Sequence, residues 1–241
     1  MKLLLTVYSK LNFMKIFVKL YLALRNKKYF SINKLDEKIE KKHLNYDNGF
    51  YVEIGANNGI NQSNTFFFEL FRNWKGILIE PLELKFHECK KFRSNKSNKF
   101  FNYACVGFDY KKEYINILDL DLMSISDNSS FDNLQKKEHI KYGEKFLHTK
   151  DKIRSVKSKV TVLNEILIRS KAPLMIDFLS LDVEGAELDV LNGIDFNNYN
   201  FKNILIETKN FDEIHNFLIK KNYTFIETMS YHDYLFQYSF K

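Results

Sequence analysis

Only two cysteines, two prolines and eight glycines occur among the 241 residues, and each scarcity closes off a class of protein or sharpens a reading. Cys89 and Cys105 have no paired spacing, which argues against a zinc site or a disulfide framework. Cys89 falls in an expected helix and Cys105 in an expected strand, so both read as buried free thiols, which fits a reducing cytoplasm. With so few glycines, each one marks a place where backbone geometry matters. There is no apolar run long enough for a membrane span. Lys10, Lys15 and Lys19 interrupt the one that opens at Met1, and no small-residue cleavage site follows, so neither spanning nor export is expected. There is no internal repeat or low-complexity linker. A hydrophobic share of 45% with 28% charged residues excludes a disordered chain.

A formal charge of +7 invites a nucleic-acid reading, but its distribution opposes one. Residues 1–42 hold 11 Lys/Arg and 3 Asp/Glu, a net of +8. The remaining 26 Lys/Arg against 27 Asp/Glu give −1. The length suits one α/β domain, expected at 49–241, with 1–48 as a basic N-terminal extension. Leu11, Met14, Phe17, Val18, Tyr21 and Leu22 recur at helical spacing between lysines, the pattern of an amphipathic helix. Such a helix packs on its own domain or a partner, or attaches peripherally to an anionic membrane through residues 1–30. Oligomeric state is not legible.

Beyond the turn Asp47-Asn48-Gly49, strand and helix patterns alternate as a parallel sheet with crossover helices requires. Strands are expected at 50–54, 76–80, 100–106, 177–183 and 203–207, and helices at 64–73, 82–93, 161–170, up to Gly193 as a C-cap, and 212–221. A closing strand pair at 224–228 and 234–238 adds an antiparallel hairpin to the mostly parallel sheet. That is the pattern of a Rossmann-like methyltransferase sheet with helices on both faces, and it differs from the dinucleotide dehydrogenases. The polar stretch 124–159, with Phe131, His139, Tyr142 and His148, is expected to cover the sheet rim and select the substrate.

The first strand runs into Glu53-Ile54-Gly55-Ala56-Asn57-Asn58-Gly59. Gly55 and Gly59 allow a sharp turn and close approach of a ligand at the strand's carboxyl end. Asn57 stands where a dinucleotide fingerprint has its middle glycine. Glu80 ends the second strand, 80 − 55 = 25 residues after Gly55, where an acidic side chain can take both ribose hydroxyls of a nucleoside. Further on, Asp182 and Glu184 reach the same rim just past a strand end. Two such carboxylates can hold a hydroxyl, act as a general base or bind a divalent cation. Glu187 and Asp189 fall in the first turn of the following helix, where the helix dipole favours them.

These segments, with Gln62-Ser63-Asn64-Thr65, Gly76-Ile77-Leu78-Ile79-Glu80-Pro81 and Leu179-Ser180-Leu181-Asp182-Val183-Glu184-Gly185-Ala186-Glu187, resemble the FkbM-type methyltransferase family over residues 49–238. Ile204-Leu205-Ile206-Glu207 and His232-Asp233-Tyr234-Leu235-Phe236 are similar to its later strands. The resemblance implies S-adenosylmethionine as cofactor and O-methylation of a sugar, glycan or related small molecule. It implies that Glu53, Gly55, Asn57 and Gly59 shape the methionine end, with Ser63 and Thr65 near its polar groups. Glu80 would take the ribose, and Ala104 and Cys105 would flank the adenine. Asp182 and Glu184 would face the transferred methyl group, Asp182 also touching the cofactor. Asp182 or Glu184 is the first choice for the base, with His232 behind them because an imidazole titrates near neutrality. If a divalent metal takes part, Asp182, Glu184 and Glu207 are its expected ligands.

Three competitors are weighed. A nicotinamide oxidoreductase is disfavoured by Asn57 and the hairpin. A non-catalytic binding module in a glycan-assembly complex is disfavoured by the retained acidic residues. A nucleic-acid methyltransferase is disfavoured by the near-neutral remainder and the lack of an Asn/Asp-Pro-Pro-Tyr loop.

Overall fold

Short apolar runs set the architecture. The computed structural model describes residues 28–93, 97–147 and 153–239; the expected helix at residues 11–22, and His148, lie outside these. In chain order the elements are α1 (Leu35–Lys42), β1 (Phe50–Ile54), α2 (Phe66–Phe71), β2 (Lys75–Ile79), α3 (Glu83–Phe92), β3 (Lys99–Phe101), β4 (Ala104–Cys105), β5 (Tyr114–Asp119), β6 (Ile125–Ser126), α4 (Asn133–Gly143) and β7 (Arg154–Thr161). There follow α5 (Leu163–Ser170), β8 (Met175–Leu181), α6 (Glu187–Leu191), β9 (Asn200–Glu207), α7 (Phe211–Ile219), β10 (Tyr223–Thr228) and β11 (Asp233–Tyr238). No described helix is long and apolar enough to cross a membrane.

The main sheet has the order β10-β11-β9-β8-β1-β2-β3, with β11 antiparallel to both its neighbours and the other pairs parallel. The central strands are Val/Ile/Leu-rich because both their faces are covered. Phe30, Leu35, Ile39, Phe66, Phe67 and Trp74 fill one side. Leu163, Ile166, Val190, Ile214 and Leu218 fill the other. Chain direction across the sheet reverses between β1 and β8, and the register sets Ile54 level with both Ile79 and Leu181. The carboxyl ends of β1, β2 and β8 therefore open onto one crevice, the place where ligands bind in such sheets.

Several expectations need correction. Phe30, Leu35, Ile39 and Leu44, from the described part of the N-terminal extension, share the core cluster of Tyr51 and Trp74. The strand expected at 100–106 is two, β3 in the main sheet and β4 in a second one. Asn102 stands between them and donates to the carbonyls of Glu80 (2.8 Å) and Pro81 (3.0 Å). The second sheet, β4-β7-β5-β6, begins at Ala104, ahead of the polar stretch, and α4 lies within that stretch. Gly193 does not take the left-handed conformation of a C-cap. A Cβ there would stand 2.3 Å from the Val106 carbonyl, so close backbone approach is what calls for glycine.

Candidate functional site

The crevice is a cleft that opens to solvent and is lined by the segments after β1, β2 and β8. Its first wall is the loop after β1. Gly55 has a φ of +82°, and a Cβ on it would lie 1.9 Å from the Asp182 carbonyl oxygen. Glycine here lets the β1 loop lie directly against the end of β8. Asn57 is also left-handed, at φ 44°. Its backbone N–H donates to Glu80 Oε2 (2.7 Å), and its side-chain amide reaches Asp121 Oδ1 (3.3 Å). Glu80 Oε1 accepts the Leu82 N–H (2.9 Å). The Glu80 carboxyl is thus fixed by two backbone amides, and each oxygen keeps a lone pair for a hydroxyl in the cleft. Ala104 and Cys105 line the cleft beyond it, and Ser63 lies at the opposite side with Glu53.

Gly59, Thr65 and His232 do not line the cleft. Gly59 supports the loop from behind: a Cβ there would stand 2.7 Å from Arg93 Cγ and 2.8 Å from Cys89 Sγ. Thr65 Oγ1 donates to Glu53 Oε2 (2.6 Å) and Ser63 Oγ to Glu53 Oε1 (2.8 Å), so Thr65 orients a site carboxylate without reaching the cavity. His232 is exposed in the turn between β10 and β11.

Beneath the loop lies a residue that sequence reasoning missed. Arg93 is completely buried. Its Nε donates to Glu69 Oε2 (2.5 Å). Nη1 donates to the Gly59 carbonyl (2.8 Å), Ser63 Oγ (3.1 Å) and Glu53 Oε2 (3.3 Å), and Nη2 to Tyr51 Oη (2.8 Å) and Thr65 Oγ1 (3.0 Å). The signal was there: Glu53 and Glu69 sit inside apolar runs, and two buried carboxylates demand a cation.

The far end of the cleft is acidic. Asp182 and Glu184 line it, and Glu207 at the end of β9 joins them, with a carboxylate oxygen from each lying within 4.8 Å of the others. Burial first, and then mutual repulsion with the neighbouring carboxylates, raises the proton affinity of all three. Burial likewise raises Glu187 to about 6, against the N–H that Gly185 donates to it (2.7 Å), and Glu80 to about 7. The polar stretch closes over this end. Ser124, Ser126 and Asn128 line the cleft, after Asp121 and Leu122 just ahead of the stretch, Ser129 Oγ donates to the Glu184 carbonyl (3.0 Å), and Ser130 N–H to that of Gly185 (2.8 Å). Glu184 (φ 52°) and Gly185 (φ 95°) make the left-handed turn that permits this packing. His139 on α4 is buried behind Glu184, and burial favours its neutral ring.

These carboxyls make stability depend on pH. A carboxyl whose folded pKa lies above its unfolded value binds its proton more tightly in the fold. The stabilisation is complete below about pH 4 and is lost as pH rises through the folded values, here about 6 for Glu187 and about 7 for Glu80. The thermal midpoint of the ligand-free protein is expected to fall as pH is raised from about 5 to about 8. A midpoint that holds or rises across that range would contradict the assignment.

Residues 53–234 match the model of the Methyltransferase FkbM domain. Among solved structures, the chain is similar to a provisionally described RNA methyltransferase from Pyrococcus horikoshii, with 9% identity, 86% of this chain and 83% of that one covered, and a TM-score of 0.41. It is also similar to the precorrin-6y C5,15-methyltransferase from Geobacter metallireducens GS-15, with 11% identity, 87% and 92% covered, and a TM-score of 0.38. No curated protein matches. On the match across 53–234, the chain belongs to the FkbM methyltransferase domain family, whose members transfer a methyl group from S-adenosylmethionine.

Proposed function

We propose that the chain methylates a hydroxyl oxygen of a sugar, glycan or related small molecule. The observation that carries this reading is the division of the cleft into two ends: Glu80, with spare lone pairs beside Ala104 and Cys105, and the carboxylates Asp182 and Glu184. Glu80 suits the ribose hydroxyls of S-adenosylmethionine, and Gly55 and Asn57 suit its amino-acid end. The cofactor supplies an electrophilic methyl carbon on a good leaving group. The protein's own task is to hold the acceptor oxygen in line and take its proton. Asp182 and Glu184 accept hydrogen bonds from hydroxyls, and their raised proton affinity suits them to receive a proton near neutrality. A wall of carboxylates also favours a neutral polyol over a phosphate-bearing nucleic acid, whose charge it repels.

The test is a turnover assay with S-adenosylmethionine and a panel of sugars, nucleotide sugars and RNA, reading S-adenosylhomocysteine formation and the site of methylation. Hydroxyl-dependent product from the sugar arms is expected, with thermal stabilisation by S-adenosylhomocysteine. Stabilisation by NAD alone, or turnover on RNA alone, would overturn the reading.

A further inference from the structure

We propose that Asp182, Glu184 and Glu207 together bind one divalent, oxygen-preferring cation of the Mg²⁺ or Mn²⁺ class at the acidic end of the cleft. This site does not depend on which acceptor is methylated. Two of its members come from the segment after β8 and the third from the end of β9, adjacent parallel strands whose register brings their carboxyl ends side by side. One oxygen from each lies within 4.8 Å of the others, so small side-chain movements bring all three to the ~2.1 Å metal–oxygen distance of a Mg²⁺-sized ion. A donor set made only of carboxylates selects hard cations.

Lys209 offsets the charge of Glu184 and Glu207 in part, but from beyond ion-pair distance. Among the described residues no Lys or Arg nitrogen comes within 4.0 Å of the three carboxylates. The Lys209 ammonium stands 4.3 Å from the Phe131 ring centroid.

A second and independent observation comes from His139. Its side chain is fully buried, and its Nε2 lies 2.8 Å from the Met123 carbonyl oxygen. A carbonyl can only accept, so Nε2 carries the proton. In the neutral ring Nδ1 then presents a bare lone pair. That atom has no hydrogen-bond partner and lies 3.7 Å from Glu184 Oε2. A lone pair facing an ionised carboxylate is repulsive, and either a proton on Glu184 or a cation in the cluster relieves it. The geometry is also the one that histidines beside metals adopt, one nitrogen donating to a backbone carbonyl and the other turned to the site. A cation there supplies a Lewis acid for an acceptor oxygen.

The experiment uses the full chain stripped with EDTA and titrated with MnCl₂, reading the free-Mn²⁺ electron paramagnetic resonance signal, with and without S-adenosylhomocysteine. One Mn²⁺ per chain is expected, displaced by excess Mg²⁺. Glu207→Gln and, separately, Glu184→Gln should weaken uptake by more than about tenfold, in variants shown to be folded by their circular dichroism. Absence of uptake by the unaltered protein would overturn the site, as would equal affinity in the unaltered protein and both variants. Mn²⁺ uptake by a protein that S-adenosylhomocysteine does not stabilise against heat would leave the cation site standing and count against the hydroxyl-methylation reading instead.

Discussion

Arg93→Met is expected to destabilise the fold by about 3–5 kcal/mol, the range for breaking a buried ion pair by removing one partner. In a protein of this size that lowers the thermal midpoint by on the order of 10 °C. Methionine fills much of the volume of the arginine, so the loss is electrostatic more than steric. Glu69 and Glu53 would be left inside the protein without a cation, and Tyr51, Ser63, Thr65 and the Gly59 carbonyl would lose a shared donor. Arg93→Lys should recover only part of the loss, because three donors on a flexible stem cannot replace a planar fork that serves six partners. Removing Glu69 as well, in Arg93→Met/Glu69→Leu, should restore some stability by withdrawing the stranded carboxylate. Urea unfolding of the four proteins measures this. An Arg93→Met variant within about 1 kcal/mol of the parent would show that the network contributes little.

That network also shows what the sequence could and could not yield. The main sheet was legible because its strands are apolar on both faces and separated by clear helices, so Val52, Ile77 and Leu179 announce themselves locally. The cleft followed, since Gly55, Glu80, Asp182 and Glu184 each lie at or just past the end of a recognisable strand. The second sheet was not legible. Its longest strand, β7, carries Arg154, Lys157 and Lys159 and is largely exposed or half-buried. Its partner β5 lies forty residues earlier, and no local pattern fixes a pairing of that separation. The glycines divided in the same way: Gly55 serves the cleft as expected, whereas Gly59 and Gly193 answer to contacts with Arg93 and Val106 that are remote in sequence. His139 had no motif, and its place behind Glu184 depends on the insertion folding back over the β8 loop.

Asp182→Asn is expected to lower the rate of methyl transfer by about 10²–10⁴-fold, the usual contribution of a positioned acid or base. Affinity for S-adenosylhomocysteine should change only a few-fold. The separation follows from the geometry. Asp182 meets the cofactor wall through its backbone: its N–H donates to the Ile54 carbonyl (3.2 Å), and its own carbonyl packs where a Cβ on Gly55 would lie. Both contacts survive the substitution. Its side chain turns instead to the acidic cluster with Glu184 and Glu207. Asparagine keeps the shape and removes the charge, so an acceptor hydroxyl loses its proton sink, and a cation at that end loses a ligand. Glu184→Gln apportions the task between the two residues. A larger rate loss in Glu184→Gln than in Asp182→Asn would make Glu184 the base and Asp182 its support. Unchanged turnover in Asp182→Asn, with the cofactor bound, would remove Asp182 from the chemistry. A loss of S-adenosylhomocysteine binding as large as the loss in rate would mean instead that the carboxylate serves the cofactor.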